Sequence, residues 1–126
     1  MPNLLKGGSL LMKQLSKKII FIIIKQYGGS QVFKKNPKFL NKDVLTYTNR
    51  KNPNIILSIW TNVNMNNGKK YIQVELSDEN GYMVQIDTYE LLFNNTELYL
   101  ISSRKNNEIQ YHDKPIAYVG NKIKQK

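Results

Sequence analysis

Along most of this chain, short stretches of alternating apolar and polar residues are separated by turn-forming clusters. The clusters are "YGGS", "KKNPK", "NRKNPN", "MNNGKK", "DENGY", "NNT" and "RKNNE", where Gly, Asn, Asp and Pro supply the backbone angles and local hydrogen bonds of tight turns. The segments between them, 44–48, 55–65, 70–77, 82–92, 98–102 and 109–119, read as strands. Residues 19–24, "IIFIII", are continuously apolar and rich in β-branched isoleucine, with Gly28-Gly29-Ser30 beyond. Such a run predicts a strand buried on both faces. One helical turn fits around 40–43, and no long stretch keeps a 3.6-residue apolar period. Strands joined by short polar turns predict a mainly β protein, an antiparallel sheet curled into a small OB-like barrel or a sandwich, with at most one or two short helical turns.

Alternation also predicts register, because a slip of one residue turns every side chain to the other face. With Asn67-Gly68 as a two-residue turn, Val63 faces Ile72, Thr61 faces Val74 and Ile59 faces Leu76. In the next hairpin a two-residue Asn80-Gly81 turn would set Leu76 against Gln85 and break the pattern. A three-residue Glu79-Asn80-Gly81 loop sets Leu76 against Val84, Val74 against Ile86 and Ile72 against Thr88. The other face then carries Trp60, Asn62, Asn64, Tyr71, Gln73, Glu75, Met83, Gln85, Asp87 and Tyr89, with Tyr71 across from Tyr89 and Trp60 across from Glu75. Aromatic rings among amide side chains suit unstacked bases, the rings for stacking and the amides for base edges. The alternative is that these rings pack beneath the basic N-terminal strands as a second core layer.

Charge changes the picture. The 126 residues carry a net +10, which draws the chain toward polyanions. Seventeen Lys, sixteen Asn and fourteen Ile stand beside one Ala and two Arg, the skew of an AT-rich genome, so mutational bias supplies part of the basicity. The charge is segmented: +9 over 12–51, −4 over 52–103 and +4 over 104–126. Basic ends around an acidic middle favour one positive face over general stickiness. Lys17, Lys18, Lys25, Lys34, Lys35, Lys38, Lys42, Arg50 and Lys51, with Lys13, are the candidate phosphate contacts, and Trp60, Tyr71, Gln73 and Tyr89 the candidate base-reading residues.

Catalytic and metal chemistry is sparse. The absence of Cys removes disulfides, thiolate metal sites and cysteine nucleophiles. His112 is the sole histidine, and its neighbour Asp113 points to the opposite face of a strand, so it cannot orient the ring unless Pro115 brings a turn there. No phosphate-cradling Gly loop and no H-E-x-x-H occurs, and Asp87 and Glu90, three apart, fall on opposite faces. The expectation is a protein without catalytic residues, metal or cofactor. A small ribonuclease using His112 with Lys114 or Arg104 is the enzymatic alternative.

The apolar run 19–24 is too short for a membrane span of about 18 or more residues. A signal peptide fits less well than a core segment, since no A-x-A-like site follows "MKQLSKKIIFIII". Within "LLKGGSLLMKQLSKK", the codons of "KGGSLLM" can spell a ribosome-binding GGAGG a short way before Met12. Residues 1–11 are therefore expected to be a non-native or disordered leader, with 12–126 a single β-barrel domain from a low-GC Gram-positive background.

The stretch "MKQLSKKIIFIIIKQYGGS" with its strand-rich, cysteine-free, basic remainder resembles the PrgU-like proteins, small PUA-fold regulators of Gram-positive pheromone-responsive conjugative plasmids. That resemblance implies an RNA-binding, cytoplasmic regulator of conjugation genes with no catalytic residue. The functional expectation is thus a non-enzymatic RNA-binding (or single-strand-binding) regulator, against a protein–protein accessory module that adds a partner strand to an exposed sheet edge.

Overall fold

The structure, a computed structural model, describes residues 15–36, 43–93 and 95–119. One helix, α1 (Lys17–Lys25), precedes seven strands: β1 (Phe33–Lys35), β2 (Val44–Asn49), β3 (Ile56–Val63), β4 (Lys70–Ser77), β5 (Met83–Leu92), β6 (Glu97–Lys105) and β7 (Glu108–Tyr118). The strands form one antiparallel sheet in chain order, β1 to β7. Every pairing is therefore between strands adjacent in sequence. The expected mainly β class and its antiparallel pairing are present. The sheet is open, because β1 and β7 do not pair among the described residues, so the closure of a barrel is not seen.

The segment 19–24 is helical, which corrects the strand expected there. A continuous apolar run looks the same whether it is a buried strand or a buried helix, and the deciding signals flank it. Ser16, in extended backbone, accepts a hydrogen bond from the Ile19 N–H at 3.2 Å, satisfying one of the donors a helix start leaves open. At the other end Gly28 and Gly29 take positive φ, and the Gly29 N–H reaches the Ile24 carbonyl at 3.0 Å, a closure that glycine permits. The burial period is helical. Ile19, Ile23 and Ile24 are buried, Ile20 and Ile22 half-buried, and Phe21 is 56% exposed.

These isoleucines cover one face of the sheet. They join Phe33, Leu57, Ile59, Ile72, Val74, Tyr89, Leu98 and Val119 in a single buried cluster, with Leu45, Tyr47, Leu76, Leu91 and Leu100 packed against it. Burying a large aliphatic side chain is worth about 1.5–3 kcal/mol, so α1 and the strands hold each other in place.

Two registers differ from those expected. Between β3 and β4, Leu57 faces Leu76, Ile59 faces Val74 and Thr61 faces Ile72, a shift of two residues. The Asn64 N–H bonds the Lys69 carbonyl, so the loop is Met65–Gly68 rather than Asn67-Gly68 alone. An even shift keeps every side chain on its face, which is why alternation could not detect it. The observed pairing buries Leu57 against Leu76 and leaves Val63 at 39% exposure. Between β4 and β5 the three-residue loop forms, with Asp78 and Tyr82 closing it and Gly81 at φ 87°. A bulge at Leu76/Ser77 then adds one residue, so Leu76 faces Gln85, Val74 faces Asp87 and Ile72 faces Tyr89. Asp87 and Tyr89 therefore lie on the core face, and Ile86 and Thr88 on the other. This corrects the face expected for Gln85, Asp87 and Tyr89.

Candidate nucleic-acid interface

The expected reading surface separates into two parts. Trp60 faces Gln73 and Asn62 faces Tyr71 on the face away from α1, where Trp60, Tyr71 and Gln73 are half-buried. Gln73 accepts a hydrogen bond from the Thr88 hydroxyl at 3.1 Å, which occupies the amide oxygen with sheet structure. Tyr89 is 2% exposed on the opposite face. It cannot stack on a base, and it does not stand across from Tyr71.

Tyr89 belongs to a buried polar network invisible in the strand pattern. The Asp87 carboxylate, 3% exposed, accepts from the Tyr27 hydroxyl, from Gln85 Nε2 at 2.8 Å and from Ser103 Oγ at 2.6 Å. Tyr27 and Tyr89 hydroxyls lie 3.1 Å apart. Since the Tyr27 proton goes to the carboxylate, Tyr89 is the donor in that pair. Burial, and the neighbouring Tyr89 and Asp87, raise the Tyr27 hydroxyl far above its ordinary value. Burial and the Asp87 charge push Tyr89 up to about 12. Both phenols stay protonated at neutral pH. The network ties the chain just after α1 to β5 and β6, and neither phenol is ionised to act as a base at neutral pH.

The basic residues gather elsewhere. A groove of about 540 Å³ lies between α1 and the β1–β2 edge. Its rim carries Lys17, Lys34, Lys35 and Arg50, and its apolar lining includes Phe21, Phe33 and Tyr47. All four cations are exposed, and no carboxylate lines the groove among the described residues. Local folding explains the placement. Phe33 pairs with Asn49, Lys34 with Thr48 and Lys35 with Tyr47, so a three-residue strand that lacks a clear alternation brings two lysines against the end of β2. Arg50 is held there by its Nε–H to the Ser30 carbonyl at 2.8 Å and by its own N–H to the Val32 carbonyl at 2.8 Å. Tyr47 is half-buried, and burial raises its hydroxyl above the ordinary value.

Of the other basic candidates, Lys18, Lys25 and Lys51 are exposed but do not line this groove. Lys13, Lys38 and Lys42 lie outside the described residues, as do the proposed leader 1–11 and most of the expected helical turn at 40–43. Phe21, Phe33 and Tyr47 were not expected at a site. The clue was a helical reading of 17–25, which puts Lys17, Ile20, Phe21 and Ile24 along one side of the helix.

At His112 the strand continues, with β7 running from Glu108 to Tyr118. Ser102 pairs with Tyr111 and Leu100 with Lys114, so the irregularity at His112 and Asp113 is a bulge rather than a chain reversal. No group of three or more His, Asp or Glu with metal-binding geometry occurs among the described residues. No helix among them is long and apolar enough to cross a membrane. In comparison with known proteins, the chain matches no family model, no curated protein and no solved structure.

Proposed function

We propose that the protein is a non-enzymatic binder of single-stranded RNA that acts in the cytoplasm as a regulator, with the groove between α1 and β1–β2 as its binding surface. The observation that carries the reading is four cations around an aromatic-lined groove without a carboxylate. Phosphates would lie against Lys17, Lys34, Lys35 and Arg50, and an unstacked base on the exposed ring of Phe21. The net charge of +10 adds long-range attraction. The resemblance to PrgU-like regulators of conjugation points the same way.

Fluorescence anisotropy with short single-stranded RNA and DNA, across a salt series, tests this. Four phosphate contacts correspond to a slope of about −3 in log K against log salt, at about 0.7 per contact for single strands. Phe21→Ala is expected to weaken binding by about 1–3 kcal/mol, the worth of one stacked base, without unfolding the protein. Salt-independent binding, or none at low salt, would overturn the reading.

A protein-binding role has one observation of its own. β7 is an edge strand of 11 residues, and its outer side has no strand partner among the described residues. It offers a ladder to which a partner strand could add. Pull-down of a protein partner that survives nuclease treatment and the Lys34→Ala/Arg50→Ala substitutions would favour that role.

A further inference from the structure

The face of the sheet turned away from α1 is covered by no helix or strand among the described residues. Its registers give it a symmetry. One row of side chains crosses from β3 to β7 as Ser58, Glu75, Ile86, Arg104 and Ile109, and the row beside it as Trp60, Gln73, Thr88, Ser102 and Tyr111. β5 is the middle strand of both rows. Neighbouring strands are about 4.8 Å apart, so Glu75 and Arg104 stand at equal offsets on either side of Ile86. Trp60 and Tyr111 stand at twice that offset on either side of Thr88.

This placement is self-complementary. When a second copy of the chain packs on the face, with a two-fold axis along β5 midway between the sheets, the two sides of β5 exchange. Glu75 then meets the partner's Arg104, Trp60 meets the partner's Tyr111, and Ile86 meets the partner's Ile86. Glu75 and Arg104 are the only charges in the two rows, they are opposite in sign, and neither has a hydrogen bond or ion pair with a described residue. Like charges at those positions would oppose the arrangement. The apolar side chains agree with it. Tyr111 is 78% exposed and Ile109 42%, apolar surface of the kind that marks an interaction site. Beside them lies a depression of about 210 Å³ bounded by Ile86, Thr88 and Ser102, and the exchange brings the partner's Trp60 to its β7 side. A large aromatic ring against such a depression is the usual anchor of an interface.

We propose that the protein forms a two-fold homodimer through this face, a sandwich of two sheets about 10 Å apart with strand directions within about 30° of each other. The basic groove lies on the α1 side of each sheet. Dimerisation leaves it open, and the dimer stands whether or not the groove binds RNA.

Sedimentation equilibrium of the nuclease-treated full chain tests this at physiological ionic strength, where the net +10 of each copy is screened beyond about 8 Å. The expected mass is twice the 14.7 kDa of the chain, falling reversibly on dilution. Trp60 is the sole tryptophan, so its emission is expected to shift to the red as the dimer dissociates. Glu75→Arg and Arg104→Glu each set like charges against one another, and each is expected to weaken the dimer at least about tenfold. The double substitution Glu75→Arg/Arg104→Glu is expected to restore it. Within one chain these positions are two strands apart with Ile86 between them, so the rescue reports contact between copies. Tyr111→Ala, at an exposed position, is expected to weaken the dimer while circular dichroism shows each variant folded. A chain that stays monomeric up to millimolar concentration, a dimer indifferent to both charge reversals, failure of the double substitution to rescue, or Trp60 emission unchanged across the transition would each overturn the proposal. So would a monomer whose Trp60 emission responds to RNA, since nucleic acid would then occupy the face.

Discussion

Asp87 is the residue at which this core departs from an apolar pattern, and three donors explain why it can. Tyr27, Gln85 and Ser103 all bond its carboxylate, so the charge is solvated by protein in place of water. Asp87→Ala would leave those donors without an acceptor, and a loss of about 3 kcal/mol or more in urea unfolding is expected from the penalty for stranded buried polar groups. The tyrosines make a second prediction. Their hydroxyls are raised from 10.0 in the folded state, Tyr89 to about 12, and the proton-bearing form is the neutral one. The folded protein therefore holds these protons more tightly than the unfolded chain. Their contribution to stability is complete below pH 10 and is lost as pH rises through about 12. Unfolding free energy measured from about pH 8 to about pH 11.5 should fall less steeply in Tyr89→Phe than in the unmodified protein.

At the scale of elements, α1 carries much of the core and depends on its ends. Ser16→Ala removes the cap to Ile19 and is expected to cost about 1 kcal/mol, whereas Ile23→Ala, at a fully buried position, is expected to cost about 2–5 kcal/mol. Gly28 sits at φ 115°, and a Cβ there would meet Val32 Cγ2 at 2.6 Å. Gly28→Ala should therefore destabilise more than the cap substitution, through both backbone strain and the clash. Denaturant midpoints for these three variants rank the effects. The strands were legible because each expected segment ended within a few residues of the observed one: 70–77 is Lys70–Ser77, and 82–92 contains Met83–Leu92. β1 was not, since three residues, "FKK", hold too little alternation to register. The turn at Asn106 and Asn107 shows local chemistry at its most legible. Both take positive φ between paired Lys105 and Glu108, the two-residue hairpin geometry that asparagine tolerates.

Over the whole molecule, the placement of charge matters more than its sum. Lys34→Ala/Arg50→Ala and Lys105→Ala/Lys114→Ala each remove two positive charges of exposed residues, but only the first pair lines the basic groove. Under the proposed reading, RNA affinity at low salt should fall much further for the groove pair than for the other, since direct phosphate contacts add to the diffuse field. Equal losses would mean non-specific attraction by net charge. The candidate site was half legible. The lysines and arginine were visible as a basic N-terminal segment, but of the aromatic residues beside them Phe21 came from a helix read as a strand, Phe33 from the short β1 and Tyr47 from β2, and the rings chosen on the sheet proved half-buried or, at Tyr89, part of the core.

The amino-acid sequence by itself determined that this is a mainly β chain of short antiparallel strands with an uneven, strongly basic charge. Turn chemistry and two-residue alternation are local properties, readable within a few neighbours. Tertiary structure decided the conformation of 19–24, the register across Leu76 and Ser77, and the faces of Asp87 and Tyr89. A continuous apolar run has no period of its own, and an inward carboxylate is tolerated only when donors distant in sequence, Tyr27 and Ser103, converge on it.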